Sequence, residues 1–169
     1  MRAKKFTAAV VLSVIAAVGF APLANAAVRP TTAQKLQLQY LIEEEKLARD
    51  VYLYLAANVT TAKFSNIAKS EQTHMDQIAA VLKTYKIFNP TTTRAAGVFR
   101  DKSLQALYNT LIAQGSVDVA AAMQVGRDIE NLDIKDIQVM LKSTMPADMK
   151  LALDNLLKGS YNHLAAFNR

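Results

Sequence analysis

From Thr31 to the C-terminus, apolar residues return every three or four positions, and nowhere do they alternate with period two for long enough to make a strand. That spacing lays one apolar stripe along each helix and predicts an all-α chain. A first helix is expected after Pro30-Thr31-Thr32, where a threonine can accept from the free first-turn amides. It should run to about Ala57, before Asn58-Val59-Thr60-Thr61 breaks it. A second should cover about 62–86. The turn-rich Asn89-Pro90-Thr91-Thr92-Thr93 then leads past Gly97 to a short helix over about 103–114, ended by Gly115. Ser116 reads as the cap of a long helix to about Ser143, with Asp118 in its first turn favourable to the helix dipole. Pro146 reads as the first helical position of a last helix that ends near Phe167.

Four long helices therefore form two hairpins, joined by a long crossover that carries a short extra helix. This is the connection of ferritin-like four-helix bundles. A coiled-coil array would need heptads sustained across the stretch that begins near Asn89, where they stop. Composition agrees with one packed domain: 51% of the 169 residues are apolar, too many for disorder. Cysteine is absent, which excludes disulfides, zinc knuckles, iron–sulfur clusters and a lipid anchor.

Residues 1–26 have a different character. Arg2, Lys4 and Lys5 precede an apolar run from Ala8 to Gly19 and a small-residue site, Ala24-Asn25-Ala26, which is the pattern of a cleaved secretory signal peptide. The run is shorter than the ~20 residues a spanning helix needs. The expected product is a periplasmic or secreted protein, not held in a membrane, with a tail over 27–35 and a bundle domain over 36–169. Removing three cations takes the formal charge of +6 to near +3. No Lys/Arg cluster then remains to track phosphates, so nucleic acid is not an expected partner.

Helices of a bundle meet along a 3-4-3-4 seam, and the four long segments can be laid out on it. The first reads Leu38, Leu41, Glu45, Ala48, Tyr52, Leu55. The second reads Ile67, Glu71, His74, Ile78, Val81, Tyr85, and the long helix after the crossover reads Val119, Met123, Gly126, Glu130, Asp133, Ile137, Met140. The last reads Met149, Leu153, Leu156, Ser160, His163, Phe167. Each seam is interrupted by polar residues at one level, and both histidines of the chain fall among the interruptions.

An ionised carboxylate taken from water without a partner costs several kcal/mol, and Glu45, Glu71, Glu130 and Asp133 would bring four together. Two divalent cations match four carboxylates, and the imidazoles of His74 and His163 are ligands suited to iron or manganese beside them. The halves also repeat: Glu45 precedes Glu71-x-x-His74, and Glu130 precedes Ser160-x-x-His163. Dinuclear carboxylate sites in bundles are built from such halves, each a single Glu and a Glu-x-x-His pair. Less interesting readings exist for each residue. A lone Glu-x-x-His is usually solvated, Asp133 could be exposed, and the methionines are simplest as core filler. Tyr52 is either core or a redox-active tyrosine two turns from the metals. Glu43 and Glu44 read as the solvated flank of the first helix, although a register slip of one would make Glu44, and not Glu45, the ligand.

Three stretches carry a resemblance: Glu43-Glu44-Glu45-Lys46-Leu47-Ala48-Arg49-Asp50-Val51-Tyr52, Ser70-Glu71-Gln72-Thr73-His74-Met75 and Gly159-Ser160-Tyr161-Asn162-His163-Leu164. With them the chain, from about Leu36 to Phe167, resembles a bacterial domain-of-unknown-function family of the ferritin-like superfamily. More distantly, Glu45-x-x-Ala48-Arg49-x-x-Tyr52 and Glu71-x-x-His74 are similar to the first half of the rubrerythrin di-iron site. That resemblance implies ligands at Glu45, Glu71 and His74, and by position at Glu130 and His163. Rubrerythrin-like sites have a Glu where this chain has Ser160, so the second half is one carboxylate short unless Asp133 supplies it, which leaves a mononuclear or asymmetric site open. The lack of cysteine also removes any rubredoxin-type domain, so an electron donor must be external.

The functional expectation is an exported ferritin-like protein with a di-iron carboxylate site that oxidises Fe(II) or reduces peroxide or dioxygen. Two other classes stay open: a metal buffer without turnover, and a metal-free structural or partner-binding bundle whose polar groups only fix helix register. Homo-oligomerisation is compatible with either.

Overall fold

A computed structural model describes residues 28–59 and 61–169, and the signal-peptide reading of residues 1–26 lies outside them. Five helices are present among the described residues, and no strand. Helix α1 spans Thr32–Asn58, α2 Ala62–Thr84, α3 Lys102–Gly115, α4 Val119–Leu141 and α5 Ala147–Phe167. The all-α bundle expected from the periodicity is what forms. None of these helices is long and apolar enough to cross a membrane.

Local chemistry sets the ends. Thr31 and Gln34 form a reciprocal capping box at the start of α1. Asp101 accepts from the Ser103 and Leu104 amides and opens α3. The expected cap of α4 is corrected: Asp118 is the N-cap, accepting from the Ala121 amide. Ser116 instead closes α3, its hydroxyl donating to the Ile112 carbonyl. Asp118 is an equally good cap by side chain and stands nearer the first apolar turn. Pro146 is likewise one position earlier than expected, at the N-cap of α5.

Helices α1 and α2 pair as one hairpin and α4 and α5 as the other; α1 faces α4, α2 faces α5, and α3 in the crossover packs on α1 and α4. Burial divides the apolar core in two. One cluster contains Val51, Tyr52, Leu55, Phe64, Val125 and Phe167. The other contains Leu38, Leu41, Ile78, Ile137, Met149 and Leu153. Between them lies a layer of buried carboxylates and imidazoles, and that layer is what the fold positions.

Candidate metal centre

Each side chain of the polar layer comes from the middle of a helix whose flanking turns are buried apolar residues. Glu45, Glu71, His74, Glu130, Asp133, Ser160 and His163 are all buried, the most exposed being His163 at 7%. The backbone there is fixed by packing on both sides, so the polar groups cannot retreat to water. The residues expected at one level of the seams are brought together, including Asp133, for which exposure had been the alternative.

Glu71 sits at the middle. One of its oxygens lies 2.8 Å from His74 Nδ1 and the other 2.9 Å from His163 Nδ1. Glu45 completes one side, 3.1 Å from His74 Nδ1. Glu130 completes the other, 3.5 Å from His163 Nδ1. The two imidazoles stack with ring centroids 5.4 Å apart. Glu71, His74 and His163 can each offer one ligand atom within a 4.8 Å span. The two halves read from the sequence are thus present as a near-symmetric pair about one shared carboxylate.

Ser160 occupies the position where a second bridging carboxylate would stand, and its hydroxyl donates to Asp133 Oδ2 and to the Leu156 carbonyl. Asp133, one turn after Glu130 on α4, therefore turns into the space the serine leaves. Tyr52, fully buried, donates from its hydroxyl to Glu130 Oε1 at 2.6 Å. It packs against Phe64 and Phe167 with centroids 5.9 and 5.3 Å away. Burial, with the Glu130 charge beside it, raises its pKa and keeps the phenol protonated.

Among the described residues, the buried side-chain atoms without a hydrogen-bond partner are Glu44 Oε1 and Oε2, Glu45 Oε1, Glu71 Oε1, Asp133 Oδ1 and His163 Nδ1. Every one belongs to this layer. Glu71 Oε1 and His163 Nδ1 approach to 2.9 Å, yet neither makes an aligned hydrogen bond. Orphaned buried polar atoms are costly, and the carboxyl oxygens of Glu44, Glu45, Glu71 and Asp133 around an enclosed space of about 10 Å³, with His163 Nδ1 beside Glu71, are what a metal ion would satisfy. The donor set, carboxylate oxygens with two imidazole nitrogens, fits iron or manganese.

Protonation in the metal-free layer follows from the same geometry. Burial drives Glu45 and Glu130 up to about 8. It raises Asp133 and Glu44 as well, and nearby carboxylates push in the same direction. Burial opposes charge on the imidazoles too, but the flanking carboxylates prevail and lift His74 to about 11 and His163 to about 9. Burial would also raise Glu71, and its two imidazole neighbours outweigh it, holding that carboxyl at about 2. The layer without metal is a Glu71 carboxylate clamped between two imidazoliums.

Four residues contribute beyond those the seams name. Glu43 and Glu44 are not a solvated flank; each is only 3% exposed. Successive residues on a helix point about 100° apart, and α1 is covered by a neighbour in each direction. Glu43 accepts from the Arg100 and Asp101 amides at the start of α3, while Glu44 faces Asp133 and Asp136 of α4. Ser70 meets His163 Nε2 at 2.9 Å, an outer contact that orients the ring with Nδ1 inward. Gly159 backs onto His74, and a Cβ there would overlap the imidazole. A glycine in the interior of a helix is the one signal that pointed to it.

The comparisons with known proteins fall along these elements. Residues 34–169 match the model of an uncharacterized protein domain, DUF2202. The uncharacterized protein MJ0754 of Methanocaldococcus jannaschii is 44% identical over 127 residues, covering 75% of this chain and 69% of its own. The crystal structure of hypothetical protein MJ0754 from Methanococcus jannaschii superposes with a TM-score of 0.80 at 41% identity, covering 82% of this chain and 79% of that one.

Proposed function

This chain belongs to the DUF2202 family, and from the chemistry of its buried polar layer we propose that it is a ferritin-like metal-binding protein with a site for two divalent ions, iron in the first place and manganese in the second. Glu45 and His74 hold one ion, Glu130 and His163 the other, and Glu71 lies between them. Asp133 serves where Ser160 leaves the second half-site short of a carboxylate. The observation that carries this reading is the coincidence of orphaned atoms: of the six buried unpartnered side-chain atoms among the described residues, five belong to carboxyls lining one small space and the sixth, His163 Nδ1, stands against one of those carboxyls, Glu71. A bundle whose polar groups only set helix register would have paired them.

Bound iron would supply redox chemistry toward dioxygen or peroxide, with Fe(II) as the electron source. The protein's own part is to fix the donors and exclude water. Apolar clusters close the layer at both ends. Tyr52 holds one oxygen of Glu130, fixing its orientation, and Ser70 does the same for the His163 ring. Ferritin-like scaffolds carry several reactions, so the activity is assigned only as Fe(II) oxidation or peroxide reduction.

The test is elemental analysis of protein purified from its native source, followed by absorption spectroscopy while Fe(II) is added in air. The expected result is about two ions of iron or manganese per chain and a growing oxo-bridge absorption. Stoichiometric uptake without Fe(II) consumption would make the protein a metal buffer. Absence of bound metal, with unchanged folding under strong chelation, would overturn the reading.

A further inference from the structure

The two-ion site leaves one buried acid without a role. Glu44 is 3% exposed, and neither of its oxygens has a hydrogen-bond partner. Its neighbour Glu43 shows how a buried carboxylate of α1 is normally satisfied, by the two backbone amides at the start of α3. The charged groups that act on Glu44 are both acids, Asp133 and Asp136 of α4. Three neighbouring carboxyls with no base among them either hold protons or take up a cation.

Glu44 also borders two spaces at once. Inside, it shares the enclosed cavity with Glu45, Glu71, Glu130 and Asp133. Outside, it forms part of an open groove of about 370 Å³ between α1 and α4, lined by Tyr40, Leu41, Asp136 and Met140 among others, with Glu44 and Asp136 as its acids and no basic residue. The larger groove of about 510 Å³ on the other side of Tyr40 offers no such route: its Glu43 is occupied by amides, and Arg100 stands at its edge. Negative groups along one path from solvent to the layer, with low-dielectric walls, draw in cations and repel anions.

We propose that Glu44 is the loading ligand of the centre, taking a hydrated divalent cation first with Asp136 in the groove and handing it inward to Asp133 and Glu45. Each metal–oxygen contact replaces a water of the incoming ion, and any proton held by the carboxyl that forms it is released to solvent. The inference rests on the two-ion reading and adds the direction from which the ions arrive.

Stopped-flow absorption of Co(II) binding to the metal-free full chain tests it, with end-point stoichiometry measured on the same samples. Wild type should bind two Co(II). Glu44→Gln, which keeps the shape and removes the charge, should reach the same stoichiometry and final spectrum with loading slowed at least tenfold. Asp136→Asn, on the half-exposed rim, should slow loading by a smaller factor. Unchanged loading in Glu44→Gln overturns the inference and leaves the two-ion site standing, whereas loss of one Co(II) or an altered spectrum makes Glu44 a permanent ligand and overturns it differently. Should Glu44→Gln fail to fold by circular dichroism, Asp136→Asn decides, and an unchanged rate there overturns the inference. Wild type that binds no Co(II) overturns the two-ion reading and this inference together.

Discussion

Gly159 shows how much of the centre depends on a single atom. A glycine in the interior of a helix costs roughly 0.5–1 kcal/mol relative to alanine, so on propensity alone Gly159→Ala in α5 should stabilise the protein. The position is occupied from the other side by the His74 ring. That ring is not a flexible side-chain end able to step away, since Glu45 and Glu71 both grip its Nδ1. Steric overlap therefore outweighs propensity. Gly159→Ala should lower metal content at least tenfold at limiting metal and lower the melting temperature, read by elemental analysis and calorimetry. A rise in melting temperature with full metal content would mean that His74 has room to move and is not positioned by Gly159. Residue-level legibility was uneven for the same kind of reason. His74, Glu71 and Glu45 announced themselves because they break an apolar seam, but Gly159, Ser70 and Glu44 act through what lies across from them, which no spacing within one helix records.

At the scale of elements, α1 is the central piece. From Leu41 to Ala48 every residue is buried, charged ones included. Glu43, Glu44 and Lys46 are consequently all internal, although a seam pattern assigns them to the outside. Lys46 makes an ion pair with Asp50 one turn on, donates to the Ala95 carbonyl at 2.9 Å, and lies 4.4 Å over the Phe99 ring. Asp50 also accepts from Arg49 and from the Gly97 amide. This network fastens the crossover to α1, and so holds the chain that connects the two halves of the site. Removing Lys46 leaves the buried Asp50 with Arg49 and the Gly97 amide as partners, so the cost falls short of the roughly 3–5 kcal/mol of a fully stranded buried charge. Lys46→Met should therefore lower stability by about 1–3 kcal/mol in urea unfolding, despite the hydrophobic replacement. Lys46→Met together with Asp50→Leu should recover only part of it, because the Gly97 amide and Arg49 then lose their acceptor. A single substitution that proves neutral would mean that the crossover holds by its apolar contacts with Phe99 and Leu104. Helix ends, by contrast, were readable to within a few residues, because caps are local: Thr31, Gln34 and Gly115 act within one turn of themselves. Where two caps competed, as Ser116 and Asp118 did, only the folded chain decides which closes one helix and which opens the next.

The whole molecule is a balance between two apolar half-cores and a polar layer that opposes them unless its charge is matched. Without metal, Glu45 and Glu130 bind protons in the fold up to about pH 8, and His74 and His163 up to about 11 and 9. In the unfolded chain the glutamates release theirs near 4.5 and the histidines near 6.5. The folded state therefore carries more protons than the unfolded state between pH 5 and 9, and stability must fall as pH rises across that window. Glu71 works in the opposite sense, but its contribution is lost only as pH falls from about 4.5 toward 2, outside the window. Metal binding displaces those protons and matches the carboxylates with cations, which removes the cause of the decline. Saturation at one hundred times the dissociation constant adds about 2.7 kcal/mol, or roughly 5–10 °C for a chain of this size. Calorimetry of the metal-free protein should thus show the melting temperature falling from pH 5 to pH 9. With Co(II) or Mn(II) present the curve should flatten, so that the gap between loaded and metal-free protein widens with pH. A metal-free melting temperature that rises over the same range would show that the layer is already ionised and hydrated, and that the two apolar half-cores hold the bundle together without help from a cation.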